Sequence, residues 1–281
     1  MASGWQTTPP LNNDQAGGWA LVRSPQGFLA DGNGVLFPRE WLKRQELSLL
    51  AEHGLGHFDG EPVWLLTLDR PAEMPGCFWQ GLRQFMLQAD YPTFRMLSFA
   101  EQVGHWDLNH RFCGRCGSRN RQVPGERCMR CPDCGLDSYA RISPSMIVLV
   151  TRGDEVLLAR SPRFVSGVYS TLAGFVEPGE SLEHAVVREI AEESGITVTQ
   201  PRYRGSQPWP FPRSLMIGCT ARLQGGQVAP DGEEIAELRW VTREQLRRTS
   251  EVGELLLPGR ISIARSLIEH WNGSPLTGAE W

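Results

Sequence analysis

Short apolar runs broken by glycine, proline and asparagine fill the first hundred residues: Trp19-Ala-Leu-Val22, Val35-Leu-Phe37 and Val63-Trp-Leu-Leu66. Runs of this length between breakers predict strands, so residues 1–110 are expected to form a small, strand-rich α+β domain. From Thr93 to Phe112 the apolar positions Phe94, Leu97, Ala100 and Val103 keep a helical period and predict a helix leading into a cysteine-rich stretch, residues 111–142. After Ser143-Pro144 the pattern changes again. Met146-Ile-Val-Leu-Val150 and Val156-Leu-Leu158 flank Gly153-Asp154, the signature of a tight β-hairpin. Further strands are expected at 169–172, 215–221 and 238–241 and helices at 182–194 and 261–271, which makes residues 143–281 a mixed α/β domain. No stretch of sequence repeats another.

Composition narrows the class. The chain has 281 residues, 41% hydrophobic and 21% charged, enough for two cored domains and unlike a disordered chain. The polar Met1–Gln15 stretch lacks a basic region followed by an apolar one, and no apolar run approaches the ~18 residues of a membrane span. A cytoplasmic protein with no membrane partner is expected. A net charge of -4 argues against a general nucleic-acid coat protein and gives no reason to expect DNA as a partner. One local exception stands out: residues 111–141 carry seven arginines (111, 115, 119, 121, 127, 130, 141) against Glu126, Asp133 and Asp137.

Five of the seven cysteines crowd between Cys113 and Cys134, which favours metal ligation over disulfides in a chain without a secretory signal. Cys113-Gly-Arg-Cys116-Gly and Cys131-Pro-Asp-Cys134-Gly are two knuckles of one design, each placing two thiolates on one side of a tight turn with glycine where the backbone folds back. Together they supply a tetrahedral shell for one structural zinc per chain. Cys128 also stands in C-x-x-C spacing with Cys131, but only Cys131 and Cys134 reproduce the form of the first knuckle. Cys77 and Cys219 read as apolar fillers.

Gly174-Phe-Val-Glu-Pro-Gly-Glu180 and Arg188-Glu189-Ile-Ala-Glu192-Glu193-Ser-Gly195-Ile196 carry the chemistry. Glu177-Pro-Gly-Glu180 suits a type II turn, Ser181 a helix N-cap and Gly195 the helix end. At ~100° per residue Leu182, Val186 and Ile190 form an apolar stripe, and Glu189 and Glu193 fall within roughly 20° of Leu182. Acids beside a buried stripe, four residues apart with Glu192 alongside, repel one another unless something positive lies among them. A divalent cation with oxygen ligands, Mg²⁺ or Mn²⁺, is the economical answer. A surface acidic helix balanced by Arg188 is the plain alternative. Downstream, Ser206-Gln-Pro-Trp-Pro-Phe-Pro-Arg-Ser214 reads as a stiff extended segment that holds Trp209 and Phe211 as a wall for a flat base.

The spacing from Gly174 to Ile196 resembles the Nudix box at every fixed position, and the proline–aromatic motif after it, with the four-cysteine ribbon before it, resembles the zinc-ribbon NADH pyrophosphatase subfamily of Nudix hydrolases over essentially the whole chain. The resemblance implies an α/β fold: a Nudix α/β/α sandwich over 143–281, preceded by the ribbon and the N-terminal domain. It implies metal-dependent cleavage of the pyrophosphate of NAD(H) to nicotinamide mononucleotide and AMP, and removal of the NAD cap from RNA to leave a 5′-monophosphate. ADP-ribose or another dinucleotide is the alternative substrate, and a non-enzymatic zinc-ribbon RNA-binding module the alternative class. In the family's terms Glu189, Glu192 and Glu193, with Glu234 and the Ala173 carbonyl, match the positions that hold Mg²⁺ or Mn²⁺. Glu193 also matches the residue that activates water, and Arg188 with Glu180 the pair that orients the ligands. Tyr139 and Phe175 resemble an aromatic pair that stacks nicotinamide, in the family from different subunits, implying a homodimer with a composite site. Ser138-Tyr139-Ala140 departs from the usual two tyrosines and proline, but keeps the stacking tyrosine. Gln207, Pro208, Trp209, Pro210, Phe211, Pro212, Arg213 and Ser214 would line the substrate pocket, and Glu126, Arg83, Arg39 and Ala264 resemble further substrate or RNA contacts.

Overall fold

The computed structural model describes residues 4–11 and 17–277, so the Met1–Gln15 stretch lies only partly within the described residues. The chain divides into two compact units, residues 1–141 with 210–213 and residues 142–209 with 214–281.

In the first unit the described residues form strands β1 (Trp5–Thr7), β2 (Trp19–Ser24), β3 (Gly27–Ala30), β4 (Phe37–Pro38), β5 (Leu49–Phe58), β6 (Glu61–Leu68) and β7 (Phe78–Gln80), with helices α1 (Arg39–Leu42), α2 (Leu82–Met86) and α3 (Tyr91–Asn109). The expected helix over 93–112 is α3, capped by Asp90, whose side chain accepts from the Thr93 N–H at 2.8 Å. Phe94, Leu97, Ala100 and Val103 are all buried on it, and the last three pack on Leu21, Leu55 and Leu65 of the sheet. A separate three-stranded sheet, β8 (Arg121–Gln122), β9 (Cys128–Arg130) and β10 (Asp137–Tyr139), forms the ribbon.

The second unit is built on β11 (Ser143–Arg152), β12 (Glu155–Arg160), β13 (Leu172–Phe175), α4 (Leu182–Ser194), β14 (Ile196–Trp209), β15 (Ser214–Gly226), β16 (Glu237–Thr242), α5 (Arg243–Glu251) and α6 (Ile263–Asn272). Its sheet runs β14-β15-β11-β12-β16, with β13 on β11. Strand β11 is buried on both faces. Met146, Val148 and Val150 pack with Ala185, Val186 and Ile190 of α4, while Ile147 and Leu149 pack with Leu246 of α5 and Leu267 and Ile268 of α6. Alternation on one strand thus generates the helix–sheet–helix sandwich. The hairpin closes as expected, with Arg152 opposite Glu155 around Gly153 at φ 57°.

Two expectations are corrected. Leu182 is 37% exposed, so the apolar stripe of α4 consists of Ala185, Val186 and Ile190 and begins one turn later. Ser206–Ser214 is no continuous extended segment: Ser206–Trp209 ends β14, Ser214 opens β15, Trp209 pairs with Ser214, and residues 210–213 form the tip of a hairpin with a cis Phe211–Pro212 peptide. Pro208 is tolerated because β14 is an edge strand, where a missing N–H need not break a ladder. Finally, the units repeat one architecture without repeating sequence. The pairings β2·β3, β2·β4, β5·β6 and β3·β7 are antiparallel and β2·β6 is parallel. The same scheme recurs as β11·β12, β11·β13, β14·β15 and β12·β16 antiparallel and β11·β15 parallel. Helices fall at matching places, α1 with α4, α2 with α5 and α3 with α6.

Candidate active site and metal centres

The ribbon knuckles are near-copies in backbone geometry. Cys113 N–H donates to Ser118 O at 2.8 Å and Cys131 N–H to Leu136 O at 3.0 Å. Gly117 N–H returns to Cys113 O and Gly135 N–H to Cys131 O, with both glycines at positive φ, 78° and 71°. The four Sγ atoms of Cys113, Cys116, Cys131 and Cys134 lie within 4.8 Å of one another. Cross-knuckle distances are 3.5 Å for Cys113–Cys134 and 3.4 Å for Cys116–Cys131. Tetrahedral zinc with Zn–S near 2.3 Å needs sulfurs about 3.8 Å apart, so the shell fits one structural zinc. Cys128 is buried on β9 and outside this cluster, in agreement with the choice made from sequence.

The carboxylates are positioned by the segment that joins β13 to α4. Glu180 N–H donates to Glu177 O at 3.0 Å with Gly179 at φ 82°, Ser181 Oγ accepts from His184 N–H, and Gly195 in the left-handed conformation ends the helix. Gly174 leaves room for the Glu189 carboxyl group, which a Cβ there would push out of its present place. Arg188 is the hub of the exposed side. It forms a two-pronged pair with Glu180, Nε to Oε1 and Nη2 to Oε2, both at 2.9 Å, and reaches Glu192 at 2.9 Å, Glu189 at 3.0 Å and the Phe175 carbonyl at 2.9 Å. This pair, with the Glu177 N–H, pulls Glu180 down to about 2, and the Arg188 guanidinium is held charged.

Glu193 is placed in the opposite way. It is 5% exposed, and its Oε2 is buried with no hydrogen-bond partner. Burial, then the neighbouring charges of Glu189 and Glu234, push its carboxyl up to about 8 against one favourable bond from the Ala173 backbone, with Asp231 adding to the push. Burial likewise raises Glu189, against the opposing pull of Arg188. A buried carboxyl oxygen without a partner, beside two more carboxylates, is satisfied by a proton or by a cation. The oxygen-only donor set of Glu189, Glu193 and Glu234, with exposed Glu192, suits a hard divalent ion by its chemistry, but among the described residues only the four cysteines bring their ligand atoms within 4.8 Å of one another.

The structure distributes the remaining predicted residues unevenly. Phe175 in the second unit and Tyr139 in the first each present an exposed ring, 55% and 57%. Glu126 is exposed on the ribbon. Gln207 is buried and both ends of its amide are engaged, Nε2 with Ile261 O at 2.6 Å and Oε1 with Ile263 N–H at 2.9 Å, so it fixes the start of α6. Ala264 is buried there, its N–H donating to Ser262 Oγ. Ser214 and Pro210 are buried, Trp209 and Arg213 half-buried, Pro208 and Pro212 exposed. Phe211 packs on the core of the first unit with the Arg83 guanidinium 4.3 Å from its ring centre, so one face is already covered. Arg39 is buried, bonded to Glu52 at 2.7 Å and stacked over Trp64 at 3.9 Å. Its guanidinium holds the first unit together. Ribbon arginines split too. Arg111 pairs with Asp107, Arg130 with Asp137, and Arg127 donates to the Thr8 and Leu55 carbonyls, whereas Arg115, Arg119 and Arg121 are exposed and make no ion pair among the described residues.

Sequence reading passed over two groups beside the carboxylates. Ser145, buried on β11, donates its hydroxyl to Gly174 O at 2.9 Å. Asp231 accepts the backbone N–H groups of Glu233, Glu234 and Ile235. Asp-Gly in a loop was the available signal for the latter.

Family models agree with this architecture. A NUDIX domain matches residues 141–257, an NADH pyrophosphatase-like rudimentary NUDIX domain residues 16–106, and an NADH pyrophosphatase zinc ribbon domain residues 108–139. The chain is 57% identical over 280 residues to the NAD-capped RNA hydrolase NudC of Pseudomonas fluorescens, covering 100% of this chain and 98% of the relative. It is 58% identical over 269 residues to the NAD-capped RNA hydrolase NudC of Stutzerimonas stutzeri, covering 96% and 94%. A NUDIX hydrolase crystal structure from Nitrosomonas europaea is similar at 21% identity and a TM-score of 0.46, covering 60% of this chain and 97% of that one. No helix among the described residues is long and apolar enough to cross a membrane. With a rudimentary Nudix unit, a four-sulfur ribbon and a catalytic-type Nudix unit in that order, and full-length identity well above half, the chain belongs to the zinc-ribbon, NADH pyrophosphatase-like family of Nudix hydrolases.

Proposed function

We propose that the chain is a hydrolase that cleaves the pyrophosphate of NAD(H) to nicotinamide mononucleotide and AMP and removes the NAD cap from RNA to leave 5′-monophosphate RNA. The observation that carries the chemistry is the partnerless buried Oε2 of Glu193 among Glu189 and Glu234. Identity of 57% over the full chain to a relative named for NAD-capped RNA supports the substrate. Glu189, Glu192, Glu193, Glu234 and the Ala173 carbonyl would hold Mg²⁺ or Mn²⁺. When bound, the cation offsets the phosphate charge that would otherwise repel an attacking water. Glu193 takes the proton of that water as its oxygen bonds to phosphorus and the bridging P–O bond breaks, with the released phosphate accepting a proton. Glu180, kept ionised, holds Arg188 against the loop, and Arg188 in turn fixes Glu189 and Glu192. Tyr139 and Phe175 stack the nicotinamide, one from each protomer of a homodimer, and the exposure of both rings supports this. Gln207 to Ser214 are the segment that lines the substrate pocket. Arg115, Arg119 and Arg121 bind the RNA body. The functional domains are 1–110, 111–142 and 143–281, and the protein acts in the cytoplasm.

The test is chromatography of products from NADH, ADP-ribose and NAD-capped RNA with Mn²⁺ or Mg²⁺. Nicotinamide mononucleotide with AMP, and monophosphorylated RNA, are expected. Cleavage of ADP-ribose alone would keep the chemistry and overturn the substrate. A separate test addresses zinc: Cys131→Ser should lose it, while Cys128→Ser should retain about one zinc per chain by elemental analysis.

A further inference from the structure

The loop between β15 and β16 carries a device that none of the motifs above includes. Asp231 Oδ1 accepts three consecutive backbone N–H groups, Glu233 and Glu234 at 3.1 Å and Ile235 at 2.8 Å, while Gly232, at φ 80°, donates its own N–H to Ile235 O at 3.1 Å. Oδ2 adds a longer contact to the Glu234 N–H, 3.3 Å. One carboxylate therefore ties four residues into a closed turn, whose far end is anchored by Ile235, 6% exposed in the core beneath α4. Glu234 sits between the two fixed points. Its neighbour Ile235 packs in one core with Ala185, Val186 and Ile190 of α4, which sets Glu234 beside the helix that carries Glu189 and Glu193, and its charge adds to the rise of both.

We infer that Asp231 is a positioning residue: it fixes the backbone from which Glu234 joins the divalent-cation site, and it does so as a hydrogen-bond acceptor for the turn and not as a ligand. Its Oδ1 is already shared among three donors, which leaves it a poor cation ligand, and the three amides compensate the charge that it adds beside Glu193. Free, solvated Glu234 would have to be ordered with each cation bound. A prefolded turn removes that requirement, as partners of metal ligands commonly do. The inference rests on the reading of Glu189, Glu193 and Glu234 as a cation site, but not on the choice of substrate.

Asparagine keeps the acceptor oxygen and drops the charge; alanine drops both. Titration calorimetry of Mn²⁺ into the full-length zinc-loaded protein should show Kd raised about tenfold in Asp231→Ala and within about threefold of wild type in Asp231→Asn. In Glu234→Gln the further change Asp231→Ala should have little added effect, because the two act through one side chain. Amide exchange at residues 233–235 of the metal-free protein should accelerate in Asp231→Ala alone. Equal losses in the asparagine and alanine variants would make Asp231 a ligand and overturn the inference, as would additive losses with Glu234→Gln or unchanged exchange. Should Asp231→Ala not fold, Asp231→Asn still decides: a tenfold loss there overturns the inference. Calorimetry reads Mn²⁺ without substrate, so a failure to cleave NADH would leave this result standing.

Discussion

Two units of this chain share one pairing scheme and treat a buried carboxylate in opposite ways. In the first, the buried Asp107 carboxylate is flanked by His53 and Arg111, while Arg39 pairs with Glu52 and Arg23 with Glu101. In the second, Glu193 is buried with one oxygen unpartnered and with only further carboxylates for charged company. The sheets and helix order match, so the difference lies in one connection. Strand β4 passes directly into the four-residue α1, whereas β13 is followed by a capped turn and the thirteen-residue α4. Chemistry therefore belongs to the loop and helix grafted on the scaffold, not to the scaffold.

The comparison is broken most severely by Glu193→Gln, which keeps the shape and removes the proposed base. Activity on NADH should fall on the order of 10³-fold while thermal stability is kept, and retained activity would move the base elsewhere. Acidity sharpens the contrast next. Glu193 titrates at about 8 in the folded metal-free protein against an ordinary 4.5, so the folded state holds the proton more tightly. Its contribution to stability is therefore full below pH 4.5 and lost as pH rises from there through 8. The metal-free protein should lose on the order of a few kcal/mol across that window, Glu193→Gln should lose far less, and Mn²⁺ should restore stability most at the alkaline end. Melting curves at pH 5, 6.5 and 8 decide it.

The first unit should behave in reverse. Arg39→Met removes one side of a largely buried pair and should cost about 2 kcal/mol, while turnover of NADH at a temperature where the variant is folded stays within about threefold. A larger kinetic loss would restore the substrate contact that its sequence position suggested. The smallest effect is expected at the ribbon surface. Replacing Arg115, Arg119 and Arg121 together should slow cleavage of NAD-capped RNA several-fold, flatten its salt dependence and spare free NADH. Equal losses on both substrates would count against an RNA-holding ribbon.

Legibility in the sequence followed the range of the cause. The knuckles, the hairpin around Gly153 and helix 182–194 depend on contacts within a few residues, and all were readable from spacing alone. The hairpin of 206–214 was misread because three prolines suggest stiffness, while the pairing of Trp209 with Ser214 depends on where β15 lies. The architectural repeat was invisible for a related reason: strand pairing repeats, but the residues that fill it do not, and α1 is too short to show a period. Arg39 and Gln207 stand out only through the family resemblance, and the groups that bind them, Glu52 and residues 261–263, are distant in sequence and could not be read from it.

The two cation sites also differ in chemical hardness, and this separates their fates in a cell. Four sulfurs of Cys113, Cys116, Cys131 and Cys134 select soft or borderline ions, and the oxygens of Glu189, Glu193 and Glu234 select hard ones. A thiophilic intruder such as cadmium or copper(I) would thus lodge in the ribbon and threaten the fold, whereas loss of the divalent ion from the proposed carboxylate site would leave the ribbon intact, so the two metals would be lost by independent routes.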